Sequence, residues 1–119
     1  MKFKKNSLLI KSVMLSFLLL LSNVGYSAAW TDYLPVEVVY PYNNGTILVS
    51  HNPRISHINP DGCNSSSWYA LEADNIGNGN IYKLLLTAIA SGKRVRFYLS
   101  GCRSGNAYPV ILHANIRSN

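Results

Sequence analysis

The chain has 119 residues, with 11 Lys and Arg against 5 Asp and Glu, for a nominal charge of +6. Lys2, Lys4, Lys5 and Lys11 fall in an opening segment expected to be removed, which leaves seven basic residues against Asp32, Glu37, Asp61, Glu72 and Asp74. A balance of +2 excludes the large basic excess that marks a nucleic-acid binder, and the remainder is one domain too small for its core alone to give more than marginal stability.

The opening has the three parts of a secretory signal peptide: basic MKFKK, an apolar centre at Val13–Leu21, and small residues at Ser27 and Ala29. The apolar centre is shorter than the roughly 20 residues of a membrane span, so cleavage is expected rather than membrane insertion. Residues 1–29 are read as the leader, cut before Trp30, with the bond before Ala28 as second choice. Residues 30–119 are then a single secreted or periplasmic domain. In an oxidising compartment Cys63 and Cys102, the only two cysteines, are expected to form a disulfide. Neither a cofactor nor a metal site is expected, since there is no C-x-x-C and His51, His57 and His113 are scattered.

Val36–Tyr42 is rich in β-branched and aromatic residues and leads into Asn43-Asn44-Gly45, a hairpin turn, with Thr46–His51 as the returning strand. Pro41 cannot donate to a ladder and marks an edge or a bulge. Asn52–Ser66, with two prolines, a glycine and many Asn and Ser residues, reads as a long loop carrying Cys63 near its end. Trp68–Glu72 is a short third strand, Asn75–Asn80 a turn, and Asn80 the expected cap of a helix. In that helix Ile81, Leu84, Leu85, Ala88 and Ile89 form the core stripe. Tyr82 and Leu86 widen the apolar arc to roughly 200°, while Lys83 and Thr87 hold the polar remainder. One sheet covers about half of such an arc, which points to a second contact surface through Tyr82, Lys83 and Leu86, most simply a neighbouring subunit. Partial exposure of Tyr82 and Leu86 is the plain alternative.

Gly92 is the expected left-handed helix stop. Beyond it Val95, Phe97 and Leu99 alternate with Arg94, Arg96, Tyr98 and Ser100, giving a strand one buried and one polar face. Val110–Ile116 is the last strand, with Val110, Leu112, Ala114 and Ile116 on one side. Three strands, a helix and two strands match the mainly β, α+β architecture of the OB-fold: a five-stranded barrel with one amphipathic helix between strands three and four. Other α+β meanders share that order.

Catalytic motifs are missing: there is no G-x-S-x-G elbow, no H-E-x-x-H and no phosphate-cradling glycine loop, so a non-catalytic role is expected. Aromatic residues are plentiful and charges few, a combination suited to sugars, whose C–H faces lie on aromatic rings and whose hydroxyls meet polar groups. Arg96 and Tyr98 on the polar strand face are the candidate platform, with Asp32, Tyr33 and Tyr40 as further candidates. A merely solvated sheet face remains the other reading of the same residues.

Cys63-Asn-Ser-Ser-Ser-Trp68, the run Ala90-Ser91-Gly92-Lys93-Arg94-Val95-Arg96-Phe97-Tyr98, and Tyr108-Pro109 resemble, in order and spacing, the binding subunits of subtilase cytotoxin and typhoid toxin. Trp30-Thr31 is similar to the Trp-Thr that opens those mature chains. The resemblance implies an OB-fold subunit of a bacterial toxin that assembles as a homopentamer with its helices lining the centre, binds cell-surface glycans, and has a catalytic toxin chain as a candidate partner. Tyr33-Leu34-Pro35 stands where those chains carry a glycan-contacting serine, and Leu99 where they continue with a tyrosine. A protein-interaction domain without a sugar site, acting as an inhibitor or accessory protein, is the alternative.

Overall fold

The structure of the chain, a computed structural model, describes residues 27–72, 75–103 and 105–118. The expected leader lies outside them, apart from its last three residues. The described part is mainly β with one helix: β1 (Ala29–Trp30), β2 (Leu34–Pro41), β3 (Ile47–His51), a single 3-10 turn at Arg54–Ser56, β4 (Tyr69–Leu71), α1 (Asn78–Ser91), β5 (Arg94–Arg103) and β6 (Tyr108–Arg117). Pairings run β5–β2–β3–β4–β6 and return to β5, so the five longer strands form a closed circuit. All ladders are antiparallel except the short β4–β6 contact, where Ala70 faces Val110.

The β2–β3 hairpin forms where Asn-Gly allows it. Gly45 takes φ 89°, Asn44 Oδ1 accepts from Thr46 N at 3.0 Å, and Thr46 closes the turn instead of opening the strand. β2 begins two residues earlier than expected because its first residues serve a different neighbour. Leu34 and Pro35 pair with Val95 and Arg94 of β5, whereas Val36 onward pairs with β3, and a bulge between Val36 and Val38 accommodates the change. β1, which the sequence reading did not anticipate, extends the same edge of β5 through Ala29↔Leu99 and Trp30↔Tyr98.

Helix α1 starts at Asn78, with Gly77 at the N-cap, rather than at Asn80. The correction has a local cause. Asn75 Oδ1 accepts from Gly77 N, Asn75 O accepts from Asn78 N, and the buried Asn78 amide donates to Glu72 O. Together these set the cap three residues ahead of Asn80, at Gly77. At the other end Gly92 adopts φ 70° and donates to Ala88 O, the left-handed stop that its sequence position suggests.

The core gathers Val36, Val49, Tyr69, Leu71, Leu85, Ala88, Val95, Phe97, Leu99 and Ile111. Leu85 and Ala88 are the helix residues fully buried against the strands, with Ile81, Tyr82 and Leu84 half-buried. Ile89, expected in the core stripe, is 43% exposed, and Leu86 is 45% exposed. At about 100° per residue Ile89 lies some 70° from the line through Leu85 and Ala88, where the sheet no longer covers it. Tyr82, Leu86 and Ile89, at i, i+4 and i+7, therefore make one apolar stripe along the flank of the helix.

β6 also departs from simple alternation. Tyr98 pairs with His113 but Leu99 with Ile111, so Leu112 is the extra residue of a bulge. Ile111 consequently enters the core while Leu112 is exposed; Ala114 and Ile116 still pack against the core. A one-residue insertion reverses the facing of everything on one side of it.

The loop after β3 is pinned at several points. Cys63 and Cys102 form a disulfide with Cα atoms 5.6 Å apart. Asn59 brackets Cys63 by accepting from its N–H at 2.7 Å and donating to its carbonyl, and Asp61 Oδ2 accepts from Gly101 N at 2.7 Å. Beneath the loop His51 is 2% exposed and stacks on Phe97 at 4.6 Å, with neither ring nitrogen in a well-formed hydrogen bond. His57 stacks on Tyr69 at 4.4 Å and donates through Nε2 to Ser65 O. Burial lowers the His51 pKa to about 4, only partly opposed by the nearby Val95 backbone and reinforced by His57. Among the described residues no helix is long and apolar enough to cross a membrane.

Two outcomes follow from this packing. The disulfide spans a sequence separation of 39, so replacing both cysteines with alanine should cost about 4 kcal/mol of unfolding free energy in urea titrations; a loss under about 1 kcal/mol would show that the staple constrains little. His51 has a folded pKa below its ordinary 6.5, so the stability its neutral form allows is complete above pH 6.5. Roughly 3 kcal/mol of it should disappear as the pH falls from 6.5 toward 4, because only the unfolded chain takes up the proton there. Unfolding measured across that window should show the slope, and His51→Leu should remove most of it whatever its effect on absolute stability.

Candidate functional site

The polar face of β5 and β6 is a ladder of three cross-strand rungs: Arg94 opposite Arg117, Arg96 opposite Asn115, and Tyr98 opposite His113. Directly paired residues share a face, and every second residue along each strand returns to it. The inward partners Val95, Phe97 and Leu99 are fully buried, so the outward three are held by the packing beneath them. β1 adds a third member to the last rung, since Trp30 pairs with Tyr98.

Thr31 holds that edge in place. It is buried, its N–H donates to Phe97 O at 2.8 Å, and its Oγ1 accepts from Phe97 N at 2.9 Å while donating to Asp32 O. Trp30 and Tyr33, on either side of Thr31 and Asp32, are thereby brought over β5.

The result is a continuous stack. The Arg117 guanidinium lies 4.7 Å over the Tyr33 ring, and Arg96 lies 4.9 Å from the same ring and 4.4 Å from Trp30. Trp30 meets Tyr98 at 5.2 Å, and Tyr98 stacks on His113 at 5.5 Å with an interplanar angle of 19°. Asn115 Oδ1 accepts from Arg96 Nε at 3.1 Å and Nη2 at 3.2 Å when its amide is turned so that oxygen meets the donors. Each exposed cation–π contact is worth about 0.5–1 kcal/mol. Their larger consequence is positional: Arg96 is fixed between two rings with its remaining donors available. Trp30 is 41% exposed and the two ends of the stack, Arg117 and His113, are exposed, while Tyr33, Arg96 and Tyr98 between them are half-buried.

Of the candidates read from the sequence, Tyr33, Arg96 and Tyr98 meet in this stack. Asp32 is exposed on the β1–β2 connection and pairs with no cation among the described residues. Tyr40 lies elsewhere, 4.6 Å from Tyr42 and 6.3 Å from Trp68, with Arg54 over Trp68 at 5.1 Å and ion-paired to Glu37 at 3.3 Å. That second cluster has a packing role. Tyr40 faces Leu48 and Leu48 faces Ala70 across three strands, and both aliphatic residues are buried although neither belongs to the central core. The rings of the cluster shield this outer apolar row from water.

Trp30, His113, Asn115 and Arg117 were not among the sequence candidates. The alternation of the last strand carried a signal for Asn115 and Arg117, since both fall opposite Ala114 and Ile116. Nothing local marks Trp30, whose place depends on pairing with a strand almost seventy residues away. Among the described residues no three His, Cys, Asp or Glu side chains gather as metal ligands. The chain matches no protein-family model, and no curated protein matches it.

Thr31→Val keeps the shape of the anchor but leaves Phe97 N–H unpaired. It should cost about 1–3 kcal/mol of stability and move Trp30 further into water. Urea unfolding, together with a red shift in the emission of a Trp68→Phe background that isolates Trp30, checks both effects.

Proposed function

We propose that the chain is a secreted, non-catalytic glycan-binding subunit with an OB-fold, self-assembling as a pentamer in the manner of the toxin binding subunits that its motifs resemble. The observation that carries the sugar-binding part is the Tyr33–Arg96–Trp30–Tyr98–His113 stack. It offers flat apolar faces for sugar C–H surfaces and, between them, fixed donors for hydroxyls, and it stands on a strand whose other face is fully buried. The closed circuit of five strands, with the helix between the third and fourth members of the β2-to-β6 series, supports the OB-fold reading.

Self-assembly is supported by the stripe of half-buried Tyr82 and exposed Leu86 and Ile89, which the chain's own strands cover only in part, with Lys83 exposed beside it. A contiguous apolar stripe on a helix is stabilised by a second copy of the same stripe or by the strands of a neighbour. The disulfide fits export to an oxidising compartment. A catalytic toxin chain as partner belongs to the same reading. A protein-contact role is the second reading, favoured by the Tyr40–Tyr42–Trp68 cluster, in which Tyr40 and Tyr42 are exposed.

Light scattering of the secreted protein should give a mass of about five protomers, and Leu86→Glu with Ile89→Ser should shift it to monomer without unfolding. Trp30→Ala should weaken binding on a saccharide panel by about tenfold, equivalent to ~1.4 kcal/mol. A wild-type monomer would contradict the assembly, and a panel on which no saccharide binds would contradict the ligand class.

A further inference from the structure

The charges of the described residues are unevenly distributed. Glu37 is paired with Arg54, Glu72 with Arg103 at 3.8 Å, and the Asp61 carboxylate accepts from the backbone N–H of Gly101, so Asp32, on the β1–β2 connection, is the carboxylate without a partner among the described residues. Five cations have no carboxylate partner among the described residues: Lys83 on α1, and Lys93, Arg94, Arg96 and Arg117, which gather just before and at the start of β5 and at the end of β6.

Within that group Arg94 stands directly opposite Arg117. Like charges in direct cross-strand register are unfavourable, so the pair costs stability unless an anion sits between them. A surface cleft of about 420 Å³, lined by Pro35, Gly92, Arg94 and Arg117, opens at this point. The carbonyl end of α1 at Gly92 accounts for part of the positive charge nearby, since a helix C-terminus favours cations. It does not account for Arg96 or Arg117, which are engaged with the rings of Tyr33 and Trp30 instead.

We infer that the ligand of this face is a sulfated polysaccharide, with sulfate groups held at the Arg94–Arg117 and Arg96 rungs and sugar rings lying on Tyr33, Trp30 and Tyr98. The inference rests on the glycan-binding reading and narrows it. Guanidinium groups present planar forks of donors that match the oxygens of a sulfate, and a stacked guanidinium loses little freedom on binding one. A single acidic sugar would neutralise one rung. A row of cations with rungs spaced by about 6.6 Å, running from an all-cation end to an all-aromatic end, fits a chain with repeated negative charges.

The test uses the full secreted protein and three probes: heparin, chemically desulfated heparin of the same length, and a single-stranded oligothymidylate. Heparin should bind at least about tenfold more tightly than either of the others, with an affinity that falls steeply as salt is raised. Arg94→Ser with Arg117→Ser should lower heparin affinity by about tenfold, while Arg54→Ser, the loss of a single charge outside the face, should change it by less than about twofold. Equal binding of the desulfated chain would overturn the inference while leaving the glycan reading in place. Tighter binding of the oligonucleotide would overturn it in favour of a nucleic acid. An Arg54→Ser loss as large as that of the double variant would overturn it as non-specific attraction, and failure of every saccharide to bind the folded protein would remove the glycan reading as well.

Discussion

The two-residue period of Arg94–Leu99 ties the interior of this protein to its surface. Val95, Phe97 and Leu99 must point inward to close the core, and each is fully buried. The same backbone then has no choice about Arg94, Arg96 and Tyr98, which stand outward in a row. Core packing thus holds the candidate binding face, and a shift of register by one residue would exchange the two sets. The edge formed by residues 29–35 adds rings to that row, because Thr31 is bonded in both directions to Phe97, a residue at the centre of the core.

Other parts of the chain protect this arrangement. The disulfide joins the loop after β3 to the far half of β5, and Asp61 bonds to Gly101 beside it, so the end of β5 is tied to that loop. The same loop covers His51 and His57 among Tyr69 and Phe97. A small domain that keeps a neutral histidine in its core accepts a loss of stability in acid, and the covalent staple offsets part of it. The helix closes the core with only Leu85 and Ala88 fully buried and leaves Leu86 and Ile89 exposed on its flank.

Local chemistry made much of the fold legible. Asn-Gly signalled the hairpin, Gly92 the helix stop, the alternation after it the long strand, and the only two cysteines the disulfide. What escaped depends on contacts between distant residues. β1 exists only because Ala29 and Trp30 find β5, and the facing of Ile111 and Leu112 is set by a bulge against Leu99 that no alternation rule reveals. The helix began ahead of Asn80 because Asn75 and Asn78 already supplied bonds to the first turn. The candidate site was half legible for the same reason. Arg96 and Tyr98 follow from strand period and Tyr33 from composition, but Trp30 and Arg117 join them through tertiary pairing, and Tyr40 is carried to the outer face of β2 and β3 by the hairpin register.

The central claim is that the outward row of β5 and β6, extended by Trp30 and Tyr33, is where the ligand sits. Mapping chemical-shift changes in the full secreted protein on titration with a bound saccharide measures this most directly. Changes centred on the Trp30 indole, the Arg96 and Arg117 guanidinium groups and the His113 ring are the expected result. Changes centred instead on Tyr40, Tyr42 and Trp68, with the β5–β6 row silent, would contradict it.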